Sequence, residues 1–183
     1  MSENDQQQEP GREVAVLSIQ AERYAATVLN KARLDILASS MPEHVDAERF
    51  VLLESFLAGL PAGPRYAVEL RNRQWMNSNL GEMLSQHNIA LVLQDLYYMP
   101  KLDWITADFT VIRWLGRRSD IEVFDRIQID RTEVLQQWAQ RVSGFLDDGV
   151  DVYGYFNNHF AGHSPASARQ FADMLGYPFH PDP

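Results

Sequence analysis

Glu69, Asp95 and a set of arginines are the side chains of this sequence whose types and positions could do chemistry. Arg71, Arg73, Arg113, Arg117 and Arg118 all end or follow apolar runs, and the chain uses 14 Arg against 2 Lys. A planar guanidinium grips phosphate or carboxylate through two parallel N–H bonds, so an arginine-biased cluster points to bidentate anion recognition. Arg71 and Arg113 are the candidate anion holders; Arg117 and Arg118 read more simply as a solvated loop. Glu69 and Asp95 are the candidate acid–base groups. Two plainer roles stand beside that one: Glu69 and Arg113 could form an ion pair that sets strand register, and Asp95 could cap the loop that follows it.

A further cluster lies in FNNHFAGHSPASA, Phe156 to Ala168. Asn157 and Asn158 end an apolar run, Gly162 marks a turn, and Ser164-Pro165 has the form of an N-cap followed by proline in the first helical turn. The small residues Ala166 and Ala168 would let the helix start approach a ligand closely, and its unpaired N–H groups favour an anion. Asn157, Asn158, Gly162 and Ser164 are therefore ligand-binding candidates, although a well-capped helix without a ligand fits the same spacing. His159 and His163 are four apart but fall in a loop and a turn, without the Glu of the helical two-His zinc motif. No metal ligand is assigned, and the sequence identifies no cofactor.

These residues need elements to place them. Residues 1–12 are too polar to bury and read as a disordered tail, leaving 13–183 as a single domain. Val14 to Ile19 is β-prone, Ala21 to Arg33 reads as helix, and Leu34 to Leu37 as a short strand. Asp46 caps a helix running to about Leu60. Four strands follow, at Arg65–Arg71, Ile89–Asp95, Phe109–Gly116 and Val150–Asn158. Helices lie between or after them at Asn79–His87, from Thr132, taken as a cap, to Leu146, and from Ser164 to Gly176. Alternating strands and helices predict an α/β fold with a parallel sheet. In Arg65–Arg71 the alternation puts Tyr66, Val68 and Leu70 under the helices and Ala67, Glu69 and Arg71 on the opposite face. Parallel strands would gather Glu69, Asp95, Arg113 and Asn157-Asn158 at one end of the sheet, the end where α/β sheets bind ligands.

Composition narrows the classes. The 183 residues suit one domain, and 45% hydrophobic residues with four Trp can build a core. The absence of Cys removes disulfides, thiolate metal sites and a Cys nucleophile. A net charge of −9 opposes a broad nucleic-acid-coating face without ruling out a local basic pocket. No apolar run is long enough for a membrane span and the polar start has no leader, so a cytoplasmic protein without membrane attachment is expected.

Four segments, RYAVELRNRQW (65–75), IALVLQD (89–95), TADFTVIRWLG (106–116) and VYGYFNNHFAGHSPASARQFADMLG (152–176), resemble the YecE-like family, a prokaryotic group with no firmly assigned reaction. Order and spacing fit from about Phe50 to Gly176. The resemblance implies a TIM-barrel-like fold with these runs as strands five to eight. It also implies that Glu69, Arg71, Trp75, Asp95, Arg113, Gly116, Asn157, Asn158, Gly162 and Pro165 occupy characteristic positions. The family's first three strand motifs, which carry a carboxylate and a lysine, are not visible, and LDILASSMP (34–42) is a degraded match to its fourth.

An eight-stranded barrel takes about 250 residues. The expectation is therefore a partial or incomplete TIM-barrel-like fold of about five or six parallel strands, apparently truncated or divergent at its N-terminal side. Its exposed edges call for cover by the N-terminal segment or for a homo-oligomer. The expected function is binding of a small phosphate- or carboxylate-bearing ligand at the C-terminal strand ends. The alternatives are a metal-assisted phosphodiester or nucleic-acid hydrolase and a non-catalytic fragment.

Overall fold

The computed structural model describes residues 47–177 and the backbone of Val14–Ser18. The expected tail, the helix at 21–33, the strand at 34–37 and the Asp46 cap lie outside the described residues. After β1 (Val14–Ser18) come α1 (Ala47–Ala58), β2 (Ala67–Val68), a 3-10 turn (Arg73–Trp75), α2 (Ser78–Gln86) and β3 (Ala90–Asp95). The chain continues with β4 (Phe109–Trp114), α3 (Thr132–Asp147), β5 (Asp151–Phe156), the short α4 (Asn158–Ala161) and α5 (Ser164–Met174).

All five strands pair in parallel, in the order β1-β5-β4-β3-β2. The first strand thus lies beside the last, as in a closed barrel, while β1 and β2 stay unjoined among the described residues. The sheet is also curled. Arg65, just before β2, donates to Asp151 at the start of β5 at 2.9 Å, although three strand spacings separate them in the sheet. A flat sheet would hold these strands roughly 14 Å apart, so the two side chains meet across a concave face. The fold is an incomplete α/β barrel.

The convex face carries the helices. Leu93, Ile112, Trp114, Val152 and Phe156 pack against Leu135, Trp138, Val142 and Phe171 from α3 and α5. Trp114 stacks on Phe156 with centroids 4.1 Å apart and meets Trp138 edge-on at 5.8 Å. A second core joins Val68, Leu70 and Leu91 to Leu53 and Leu57 of α1 and Leu80 and Leu84 of α2, around the fully buried Trp75. Each large apolar side chain buried here contributes on the order of 1.5–3 kcal/mol. Val68 and Leu70 lie on the helix side, as the alternation predicts.

Several boundaries differ from the sequence reading. The β2 ladder with β3 covers two residues and not seven; beyond it the buried Gln94 Nε2 donates to the Leu70 carbonyl at 2.9 Å, where a ladder bond would otherwise lie. Strand β5 stops at Phe156, so Asn157 and Asn158 do not end it: Asn157 caps α4 and Asn158 is the first helical residue. Thr132 is not a cap; Arg131 holds that position, and the Asp130 carboxylate accepts from the Thr132 N–H at 2.9 Å. Ser164 is likewise the first residue of α5, with His163 in the cap position, because the Asn158 side chain accepts from the Ser164 N–H at 2.8 Å. No helix among the described residues is long and apolar enough to cross a membrane.

Candidate functional site

Strand register fixes which side chains share the concave face. Gln94 pairs with Arg113 and Arg113 with Tyr155, so these three form a row near the C-terminal strand ends; Val92, Val111 and Tyr153 form the row below. At the N-terminal ends Arg65 closes the face. Its guanidinium bonds Asp151, lies 3.6 Å from Asp108, and sits over the Phe109 ring at 4.3 Å. Partial desolvation lowers its pKa, but the Asp151 hydrogen bond and attraction to Asp108 and Tyr153 outweigh this and hold the group above its ordinary value.

The upper layer is a guanidinium–carboxylate–guanidinium chain. Glu69 Oε1 accepts from Arg71 Nε at 2.7 Å, and Oε2 accepts from Arg113, joining β4 to the segment after β2. The Arg113 and Glu69 side chains are 19% and 20% exposed and that of Arg71 53%, so the first two are set by packing while Arg71 reaches outward. Glu69 and Arg113 form the ion pair foreseen as one alternative, and Arg71 joins it.

Above this layer lies a cavity of about 630 Å³. Its lining includes Arg71, Arg113, Arg117 and Arg118, with Tyr97, Tyr98, Ser119, Asn157 and His159. Among the described residues no Asp or Glu lines it. The loop after β4 bends over the strand ends because Gly116 has φ +68°, and a Cβ there would overlap the His159 carbonyl. That turn brings Arg117 and Arg118, read from sequence as a solvated loop, to the cavity wall. The Arg117 guanidinium stacks on Tyr97, 4.1 Å from the ring centroid.

The remaining candidates are not gathered there. Asp95 pairs with Trp114 in register and lies on the helix face, away from Glu69 and Arg113. Its Oδ2 accepts from the buried Trp138 indole at 2.7 Å and from Lys101 at 3.2 Å. Neither Asp95 nor Glu69 is a lining residue. Asn157 does line the cavity, while its side-chain oxygen accepts from the His159 N–H at 2.9 Å. Asn158 and the buried Ser164 join α4 to α5. Gly162, at φ +113°, lets the chain pass against the Arg126 carbonyl where any Cβ would collide. His159 lines the cavity with Phe124 edge-on at 4.8 Å, and among the described residues its buried Nδ1 has no hydrogen-bond partner. Among those residues, no group of three or more His, Asp or Glu is placed to hold a metal ion.

Sequence reasoning did not single out Gln94, Tyr97, Tyr98 or Ser119. A lone Gln inside the apolar run IALVLQD was the available signal for Gln94.

The geometry can be set beside known proteins. A family model described as "Protein of unknown function DUF72" matches residues 3–182. The chain belongs to the DUF72 family. Among solved structures, a DUF72 family protein from Thermotoga maritima is 26% identical with a TM-score of 0.59, over 74% of this chain and 55% of its own. A DUF72 family protein from Enterococcus faecalis matches at 16% identity and TM-score 0.59, over 79% of this chain and 60% of its own. A second crystal structure of a DUF72 family protein from that organism matches at 19% identity and TM-score 0.57. This DUF72 chain therefore spans less than two thirds of the length of these structures. No curated protein matches it.

Proposed function

We propose that this DUF72 protein is a YecE-like, cytoplasmic protein that binds a small phosphate- or carboxylate-bearing ligand in the arginine-lined cavity at the strand ends. One observation carries the reading: four guanidiniums line a single cavity, without a lining carboxylate among the described residues, in a chain of net charge −9. Concentrating positive charge at one concave place in an acidic protein focuses the local field on anions. Arg71 and Arg113 hold the ligand, and Glu69 orients both of them. Asn157, Asn158, Gly162 and Ser164 support the cavity wall by fixing α4 and α5.

Binding fits the geometry better than hydrolysis. A hydrolase would use Glu69 or Asp95 for proton transfer, yet Glu69 already accepts from two arginines and Asp95 from Trp138 and Lys101. The test is calorimetric titration with inorganic phosphate, pyrophosphate and citrate at low salt. Arg71→Ala and Arg118→Ala should each weaken binding by about tenfold, and affinity should fall as salt rises. An Arg71→Ala/Arg118→Ala double variant that binds as the parent does would reject the site.

A further inference from the structure

We infer that His159 is a ligand-binding side chain of the cavity, donating from Nε2 to the bound anion. This rests on the anion-binding reading above and goes beyond the arginines. Among the described residues, six side chains carry a buried polar atom without a hydrogen-bond partner, and of these only His159 lines the cavity. Buried polar groups left without a partner are uncommon and call for a reason. Structure alone does not supply one. The His159 backbone is fixed from both sides, its N–H donating to the Asn157 side chain at 2.9 Å and its carbonyl packed where a Cβ at Gly116 would lie. The ring stands edge-on to Phe124, with centroids 4.8 Å apart and planes at 86°. A phenylalanine would serve that aromatic contact as well.

What an imidazole adds is its two nitrogens. Nδ1 is buried with no acceptor to receive a hydrogen, so the N–H of the neutral ring belongs on Nε2. Nε2 is not buried and forms no hydrogen bond with a described residue, which leaves it open on a ring that lines the cavity. An Nε2–H is present in this tautomer and in the imidazolium alike, so the donor does not depend on the charge of the ring. Arg71 follows β2, while Arg113, Arg117 and Arg118 belong to β4 and the loop after it. His159, in α4 after β5, brings a donor from a third element. An oxyanion has lone pairs enough to accept from all of them, and hydrogen bonds to an ionised acceptor are the strong ones.

The experiment is calorimetric titration of the full chain with inorganic phosphate. His159→Phe keeps the contact with Phe124 and removes the donor, and should weaken binding by about tenfold. His159→Gln, whose amide nitrogen reaches about as far as Nε2, should bind within about threefold of the parent. A histidine kept for packing gives the opposite order, rescued by Phe and not by Gln. Nitrogen NMR of the parent chain reads the same contact without any substitution: phosphate should shift the His159 Nε2 resonance. Parent-like binding by the Phe variant, equal weakening in Phe and Gln, or an Nε2 resonance that phosphate does not move would overturn the assignment of His159 and leave the arginine site standing. A parent chain that binds no phosphate would overturn both readings.

Discussion

Replacing Glu69 by Gln tests whether the upper layer of the concave face is held by charge. The carboxylate accepts one bond from Arg71, whose side chain is 53% exposed, and one from Arg113, whose side chain is 19% exposed. Exposed pairs of the first kind are worth about 0–1 kcal/mol. A hydrogen bond to a charged group reaches about 1.5–3 kcal/mol, which the residual exposure of Glu69 and Arg113 cuts to about 1–2 kcal/mol. Gln keeps the shape and one carbonyl acceptor, so the expected loss is about 1–2 kcal/mol, or about 3–6 °C in Tm for a chain of this length. The assay is urea unfolding followed by tryptophan fluorescence, with buried Trp75, Trp114 and Trp138 as reporters. A double-mutant cycle with Arg113→Gln isolates the pair and should return a coupling of about 1 kcal/mol. The Arg71 share should vanish in molar salt while the Arg113 share survives, because screening reaches exposed charges first. A coupling energy below about 0.3 kcal/mol, within the scatter of independent sites, would refute the claim that Glu69 ties the β2 segment to β4.

Gly116→Ala should cost about 2–3 kcal/mol in the same unfolding assay, because it combines φ +68° with a collision against the His159 backbone. Asp95→Ala strands the Trp138 indole N–H, which is 2% exposed at the residue level, and should cost about 1–3 kcal/mol with a change in tryptophan emission. Asp130 is held below its ordinary carboxylate pKa of 3.8 by hydrogen bonds from the Thr132 side chain and backbone. Its contribution to the first turn of α3 is therefore complete above the unfolded pKa and lost as pH falls through the lower folded value. Amide exchange at Thr132 should accelerate over that acidic window, and in Asp130→Ala the window should disappear.

The sequence made the parallel α/β plan legible because helical periodicity and strand runs alternate clearly from Arg65 onward. It also placed Glu69 and Arg71 on the face opposite Val68 and Leu70, since the segment Arg65–Arg71 alternates polar and apolar residues. Asp95 was harder to place. Its strand is buried along nearly its whole length, and in such a strand the alternation carries no signal about which face a polar end residue takes. Pairing with Trp114 decides it, and that pairing is a tertiary fact. Arg117 and Arg118 were opaque for a related reason, because the fold of their loop depends on the Gly116 backbone meeting His159, more than forty positions on. The caps at Thr132 and Ser164 were misplaced by one residue. In each case the first N–H is satisfied by a side chain before the helix, Asp130 or Asn158, which local capping rules do not anticipate.

The shortness of β2 links the fold to the site. With a two-residue ladder on one side, the segment from Arg65 to Arg71 is held by the burial of Val68 and Leu70 and by three side-chain bonds: Arg65 to Asp151, Gln94 to the Leu70 carbonyl, and Glu69 to Arg113. Two of these three bonds involve residues on the concave face whose partners lie on β4 or β5, so they set the curl as well as the attachment. Arg71 and Arg113, one on each side of this joint, are also the groups that would grip an anion. A ligand bridging them would take over part of the work of the missing ladder, and its binding energy would appear as added stability of the edge. Affinity and folding are therefore coupled through the same few atoms. Weakened binding in an Arg113 variant has two sources, a lost donor and a loosened edge, whereas in an Arg118 variant only the lost donor remains.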